Sequence, residues 1–245
     1  MNNHTNFIKS SITDILKDVV SASAGIGNGI ETYPLCDYIM QSAFLKMTGF
    51  QEQKMKCICW EMATNDYEYR YKRFSQKPLG ECSCYDEKKA IYKDLVEHIE
   101  KHIPNFNVSV HIDKQSILAN TILEITTTFS NTNLSIWAQN DFNEFTNNCD
   151  IIKEEQFITR INNQSNETKL FENELKDKYD LLYNHRNRSA HNTQSYQQNL
   201  PTLKTLADEN YKYENYFLRF AILILIDKIF IELYRKYLDV LEDGL

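Results

Sequence analysis

The sequence predicts an all-α fold, a multi-helix bundle with at most a minor strand element. Three observations support this. Glycine and proline are scarce, 6 and 4 in 245 residues, whereas sandwiches and barrels need both at their many sharp turns. Hydrophobic residues make up 42% of the chain, enough to fill a sizeable core at this length. Several segments repeat their apolar residues at helical spacing.

Along the chain, residues 5–20 place Phe7, Ile8, Ile12, Ile15, Leu16 and Val19 on one side of a helix. The stretch SASAGIGNGIETYP breaks that pattern. A shorter helix is expected over 35–47. Thr48 reads as the N-cap of a long helix over 50–74, with Met55, Ile58, Cys59 and Met62 spaced for burial. SQKPLGECSC is a loop, and a helix over 86–102 follows it. The segment 103–115 is ambiguous: NFNVSVHID alternates, which allows at most a short strand near 106–112. Two helices are expected near 114–129 and 132–146. A polar run at 162–168 precedes a helix starting near Thr168, and residues 192–210, marked by Pro201, read as a loop. The last helix, 211–241, is apolar almost all round at 217–231, which suits a bundle centre or a subunit interface. No repeat or linker divides the chain, so a single helical domain over 1–245 is expected.

A net charge of −7 argues against non-specific coating of nucleic acid, although a local basic groove remains compatible with it. The longest apolar stretch, 220–226, falls short of the ~20 residues of a membrane span. The N-terminal run has no cationic start followed by an apolar segment and cleavage site. The expectation is a cytoplasmic protein with no membrane partner, its six cysteines mainly reduced.

The most chemically capable stretch is YNHRNRSAHNT, residues 183–193, placed near the C-terminal end of its helix. Phe171, Leu175, Leu182 and Arg186 fall on one stripe, so the apolar face ends in an arginine. Asn184, Asn187 and His191 line up on a neighbouring face, where an amide one turn before a histidine can orient its ring. Histidine moves protons near neutral pH, and arginine presents a permanently charged fork to phosphate oxygens. Together these groups suit cleavage of a phosphodiester by its neighbouring 2′-hydroxyl, chemistry that RNA permits and DNA does not. No cofactor or metal is called for. Arg186 and His191 sit ~140° apart around an ideal helix, so a loosened helix or a second subunit would have to bring them together. The competing reading is a helix C-terminus that gathers cations to complement its dipole.

Arg186, Asn187 and His191, in the wording HRNRSAHN, resemble the Arg-x4-6-His signature of HEPN domains, which often carry a polar residue directly after the arginine. That resemblance implies an all-α, commonly dimeric bundle, and in many members a metal-independent RNase of toxin–antitoxin or phage-defence systems. Dimerisation there brings two motifs into one cleft. It covers 166–241 and the long helix at 50–74, with a HEPN-like core within 35–102 and 166–241 and with 103–165 as an insertion or additional helices. By this resemblance Arg186, Asn187 and His191 are catalytic, RNA is the substrate, and the partners are a second copy and an antitoxin or other defence protein. Thr193 stands where members modified by a nucleotidyltransferase antitoxin carry tyrosine, so that form of control is not implied. The alternative is a non-catalytic helical module that binds RNA or protein.

Other segments carry less. Arg188 beside the motif is expected to touch RNA, with His185 the local substitute for His191. In DYEYRYKRF, Arg70 and Arg73 interleave with aromatics that could stack on unpaired bases; the alternative is a helix with half-buried tyrosines. Cys57, Cys59, Cys82 and Cys84 depart from zinc-ligand spacing, and the first pair, Cys57 and Cys59, reads as buried free thiols. GIGNG, residues 25–29, lacks the Lys-Ser/Thr of a phosphate loop. His98 and His102 read as a solvated face.

Overall fold

The computed structural model describes residues 3–148, 151–162, 167–191 and 215–243, with the side chains of His191 and Asp243 outside that description. Among the described residues there are eleven α-helices and one hairpin. The helices are α1 (Asn3–Lys9), α2 (Thr13–Ser23), α3 (Tyr33–Asn65), α4 (Tyr67–Tyr71), α5 (Tyr85–His102), α6 (Val108–His111), α7 (Lys114–Phe129), α8 (Asn133–Trp137), α9 (Gln139–Asn147), α10 (Asn173–His191) and α11 (Tyr216–Asp243). The hairpin pairs β1 (Phe157–Arg160) with β2 (Thr168–Phe171) in antiparallel register, Phe157 opposite Phe171. The fold is thus all-α with a minor strand element. Among the described residues no helix is long and apolar enough to cross a membrane.

The centre of the bundle is α11. Its start is fixed by Asn215, whose Oδ1 accepts from the backbone N–H groups of Phe217 (2.9 Å) and Leu218 (3.2 Å). From Phe217 to Asp227 every residue is buried, because α3, α5, α7 and α9 pack around it. Phe129 of α7 meets Phe217 and Phe220 at centroid distances of 5.1 and 5.9 Å. Its own chain therefore covers this helix, and α11 supplies no reason for a second subunit. Segment 103–165 contributes α7, α8 and α9 to this same core. The expected residues 211–214 of the last helix, and most of the 192–210 loop with Pro201, lie outside the described residues.

Several expected elements fall differently. The helix expected over 5–20 is two helices, α1 and α2. Between them the Ser10 carbonyl accepts from Lys54 Nζ and the Ile12 N–H donates to Asp227 Oδ2 (3.0 Å). The break is stable because a buried ion pair satisfies the backbone groups it frees. The expected pair of helices at 35–47 and 50–74 is instead one 33-residue helix, α3. Thr48 is not an N-cap; its hydroxyl donates back to the Leu45 carbonyl at 2.9 Å. The buried positions Cys36, Met40, Phe44, Met47, Gln51, Met55, Ile58 and Met62 keep helical spacing across Gly49, and this packing outweighs the weak propensity of a single glycine. The long helix stops at Asp66, which caps α4 by accepting from Tyr69 N–H at 2.9 Å, and a π-helical turn over Lys72–Gln76 follows.

Residues 106–112 form no strand. Val108 and Ile112, four apart, are both buried, and Asn107 caps the single turn of α6 through Ser109 N–H (3.0 Å). The strand element lies instead at 157–160 and 168–171, against α5. There Tyr85 Oη donates to the Phe171 carbonyl (3.3 Å) and accepts from the Phe171 N–H (3.1 Å). Thr168 therefore belongs to β2, and the motif-bearing helix begins at Asn173. The helix expected over 132–146 is the pair α8 and α9.

Candidate functional site

Helix α10 buries Leu175, Tyr179 and Leu182, spaced to face the core. One turn beyond Leu182 that face presents Arg186. Its Nη2 donates to both carboxylate oxygens of Glu52 on α3, at 2.9 and 3.2 Å. Its Nη1 donates to Asn187 Oδ1 at 3.1 Å. The side chain is 23% exposed, so one edge is gripped and another reaches solvent. Asn187 thus orients the arginine, whereas its spacing suggested the histidine.

Beneath Arg186 the interior is closed. Lys88 is buried, and Nζ donates to the carbonyls of Cys82 (2.7 Å) and Ser83 (3.2 Å). Burial pushes its pKa down to about 8, against the opposing pull of Glu52. Tyr179 Oη donates to the Ser83 carbonyl at 2.7 Å. About 10 Å³ of space remains beside Arg186, Glu52, Lys88 and Tyr179, roughly room for one water. A phosphate group must therefore reach Arg186 from the outer side.

His191 is the last residue of α10, and its side chain lies outside the described residues, as does Thr193. His185 is not a substitute for it. Its ring packs against Phe44 (5.4 Å between centroids) and Tyr216 (5.6 Å). Burial, and then the charges of Arg219 and Arg188, push its pKa down to about 3. It stays neutral and weakly basic at neutral pH. Arg188 and Asn184 are exposed on the outer side of the helix.

The second basic stretch divides. Arg70 is exposed on α4, with its guanidinium 5.2 Å from the Tyr67 ring centroid. Arg73 is committed elsewhere: its fork donates to Asp94 Oδ2 (2.6 Å, from Nε) and Oδ1 (2.7 Å, from Nη2). Asp94 is 1% exposed, and a carboxylate so placed needs a charged partner. Arg73→Ala is therefore expected to destabilise the protein by about 3 kcal/mol, read as a lower urea midpoint. A loss below about 1 kcal/mol, the range of exposed pairs, would return Arg73 to the surface residues.

Among the described residues no group of three or more His, Cys, Asp or Glu side chains is placed to hold a metal ion. Cys59 and Cys82 are buried, whereas Cys57 and Cys84 are partly exposed. His98 is buried, not solvated; its Nδ1 lies 2.7 Å from the Asp94 carbonyl and its Nε2 3.3 Å from Asp66 without hydrogen-bond alignment. Residues 25–29 contain no left-handed glycine; Thr32 Oγ1 donates to the carbonyls of Gly27 and Gly29 and closes a simple turn.

Glu52 is the site residue that sequence reading missed. Its signal was present: a carboxylate on the stripe of Thr48, Gln51 and Met55, all buried, implies a buried cation as partner. No family model, curated protein or solved structure matches the chain.

Proposed function

We propose that the protein is a HEPN-like, metal-independent endoribonuclease in a defence or toxin setting. His191 takes the proton of the ribose 2′-hydroxyl, whose oxygen attacks the adjacent phosphorus. Arg186 meets the charge that develops on the phosphoryl oxygens. The P–O bond to the 5′-oxygen breaks, that oxygen receives a proton, and a 2′,3′-cyclic phosphate remains. Asn187 and Glu52 hold the arginine, and Arg188 adds affinity for the RNA backbone. A second copy of the chain is the partner that brings His191 and Arg186 across the ~140° between them, with an antitoxin or another defence protein as a further partner.

The observation that carries this reading is the fixing of Arg186. A fork pinned on one edge by Glu52 and Asn187 and open at the other is ordered before the phosphate arrives, so binding does not have to restrict it. The same observation also favours the rival reading, a non-catalytic module, because Glu52 balances the arginine's charge and clamps α10 to α3. Cleavage in excess EDTA separates the two. The proposal expects His191→Ala to abolish cutting while the melting temperature stays that of the wild type. Unchanged cutting by that variant would move the site elsewhere, and the absence of cutting by the wild type would leave the module reading.

A further inference from the structure

We infer that the cleft between Trp60 and Phe74 is a nucleobase-binding subsite for single-stranded RNA; this rests on the reading of Arg186 and His191 as an RNA-cleaving site. Trp60 lies on α3 and Phe74 in the π-helical turn, a helix form that recurs at functional sites. They are 56% and 51% exposed and touch each other, so together they form one exposed apolar patch. Their centroids are 6.3 Å apart at an interplanar angle of 80°. An edge-on contact occupies at most one face of one ring, so ring faces remain open to a third flat group. Both residues line a cavity of about 310 Å³, bounded also by Lys56, Cys59, Arg73 and Leu79, within the size range of small-ligand sites.

The neighbours favour a base as occupant. Exposed Arg70 lies one turn before Phe74, whereas Lys56, Lys72 and Arg73 nearby are paired with Glu81, with Asp94 and Glu97, and with Asp94. Exposed Tyr67 and Tyr71 flank the same stretch. Flat apolar rings beside an exposed arginine match a strand whose bases stack and whose phosphate meets a cation. An apolar peptide side chain would gain nothing from that cation.

The cleft and the candidate active site are both lined by α3. Glu52, Lys56 and Trp60 follow at steps of four along one stripe of α3. Glu52 grips Arg186, Lys56 pairs with Glu81, and Trp60 opens the cleft. Eight residues of helix separate the arginine's carboxylate from the indole, about 12 Å along the axis, a span that a short single strand crosses.

The chain has two tryptophans, so Trp137→Phe leaves Trp60 as the only indole reporter. The probe is a short single-stranded oligoribonucleotide with every ribose 2′-O-methylated, which binds without being cut by 2′-hydroxyl attack. The expected result is saturable quenching of Trp60 emission, lost when the probe's bases are replaced by abasic positions. In anisotropy titrations Trp60→Ala and Phe74→Ala should each weaken binding about tenfold. Trp60→Phe, which keeps a stacking face, should weaken it less, and melting curves should match the parent. Unquenched emission with the probe bound, equal affinity of Trp60→Ala, or no binding of the probe would each overturn the subsite. So would stronger quenching by an apolar peptide than by the probe. Cleavage of unmodified RNA, followed separately, can fail while this titration succeeds, so the two readings fall independently.

Discussion

Arg186→Ala is expected to lower the rate of RNA cleavage by about 10²–10³-fold, the usual effect of removing one group that stabilises transition-state charge. The loss should appear in kcat, because the pinned guanidinium meets charge that exists only as the phosphorus becomes pentacoordinate. Arg186→Lys should recover little of the rate, since an ammonium keeps the charge but cannot reproduce the fork held by Glu52 and Asn187. Glu52→Gln keeps an acceptor for Nη2 and removes the opposing charge, so its loss should be smaller than that of Arg186→Ala. A wild-type cleavage rate in Arg186→Ala would reduce the Arg186–Glu52 pair to a clamp between helices.

The largest effect on stability belongs to the pair beneath the break between α1 and α2. Lys54 Nζ and Asp227 Oδ1 are 2.6 Å apart, with both side chains 2% exposed. Burial pushes Lys54 down and Asp227 up, and each charge opposes the other's shift. Asp227→Ala leaves a buried ammonium with only the Ser10 carbonyl, and it strips the Ile12 N–H of its acceptor. The expected destabilisation is about 3–5 kcal/mol, measured as a lower midpoint in urea unfolding. The double variant Lys54→Met with Asp227→Leu should lose less, because no charge stays buried without a partner, the remaining loss coming from the Ser10 carbonyl and the Ile12 N–H that lose theirs. A single variant within about 1 kcal/mol of the wild type, the range of a surface pair, would show that water reaches this site.

How far the sequence reached depends on the range of the interaction. Spacing recovered the helical class and most helices, since period and capping act within a few residues. It split α3 at Thr48 and Gly49 because local propensity favoured a break, whereas the buried run from Met47 to Met55 is satisfied only by contact with other helices. It allowed a strand at 106–112 because Phe106 and Val108 alternate; the pairing that makes a strand is instead that of Phe157 with Phe171. The same limit applies at the site. Arg186 stood out as an arginine closing an apolar stripe, but Glu52 lies 134 positions away in sequence. Arg73 read as a surface cation because nothing local reveals that Asp94 is buried and faces it. His185 read as a spare base because its burial against Phe44 and Tyr216 is tertiary.

The most direct test of RNA cleavage by 2′-hydroxyl attack uses an oligonucleotide with a single ribose at the cut site and a matched all-deoxy strand, both in excess EDTA. The expected result is cutting at the ribose alone, a product ending in a 2′,3′-cyclic phosphate, and no product from His191→Ala; equal cutting of the two strands would contradict it.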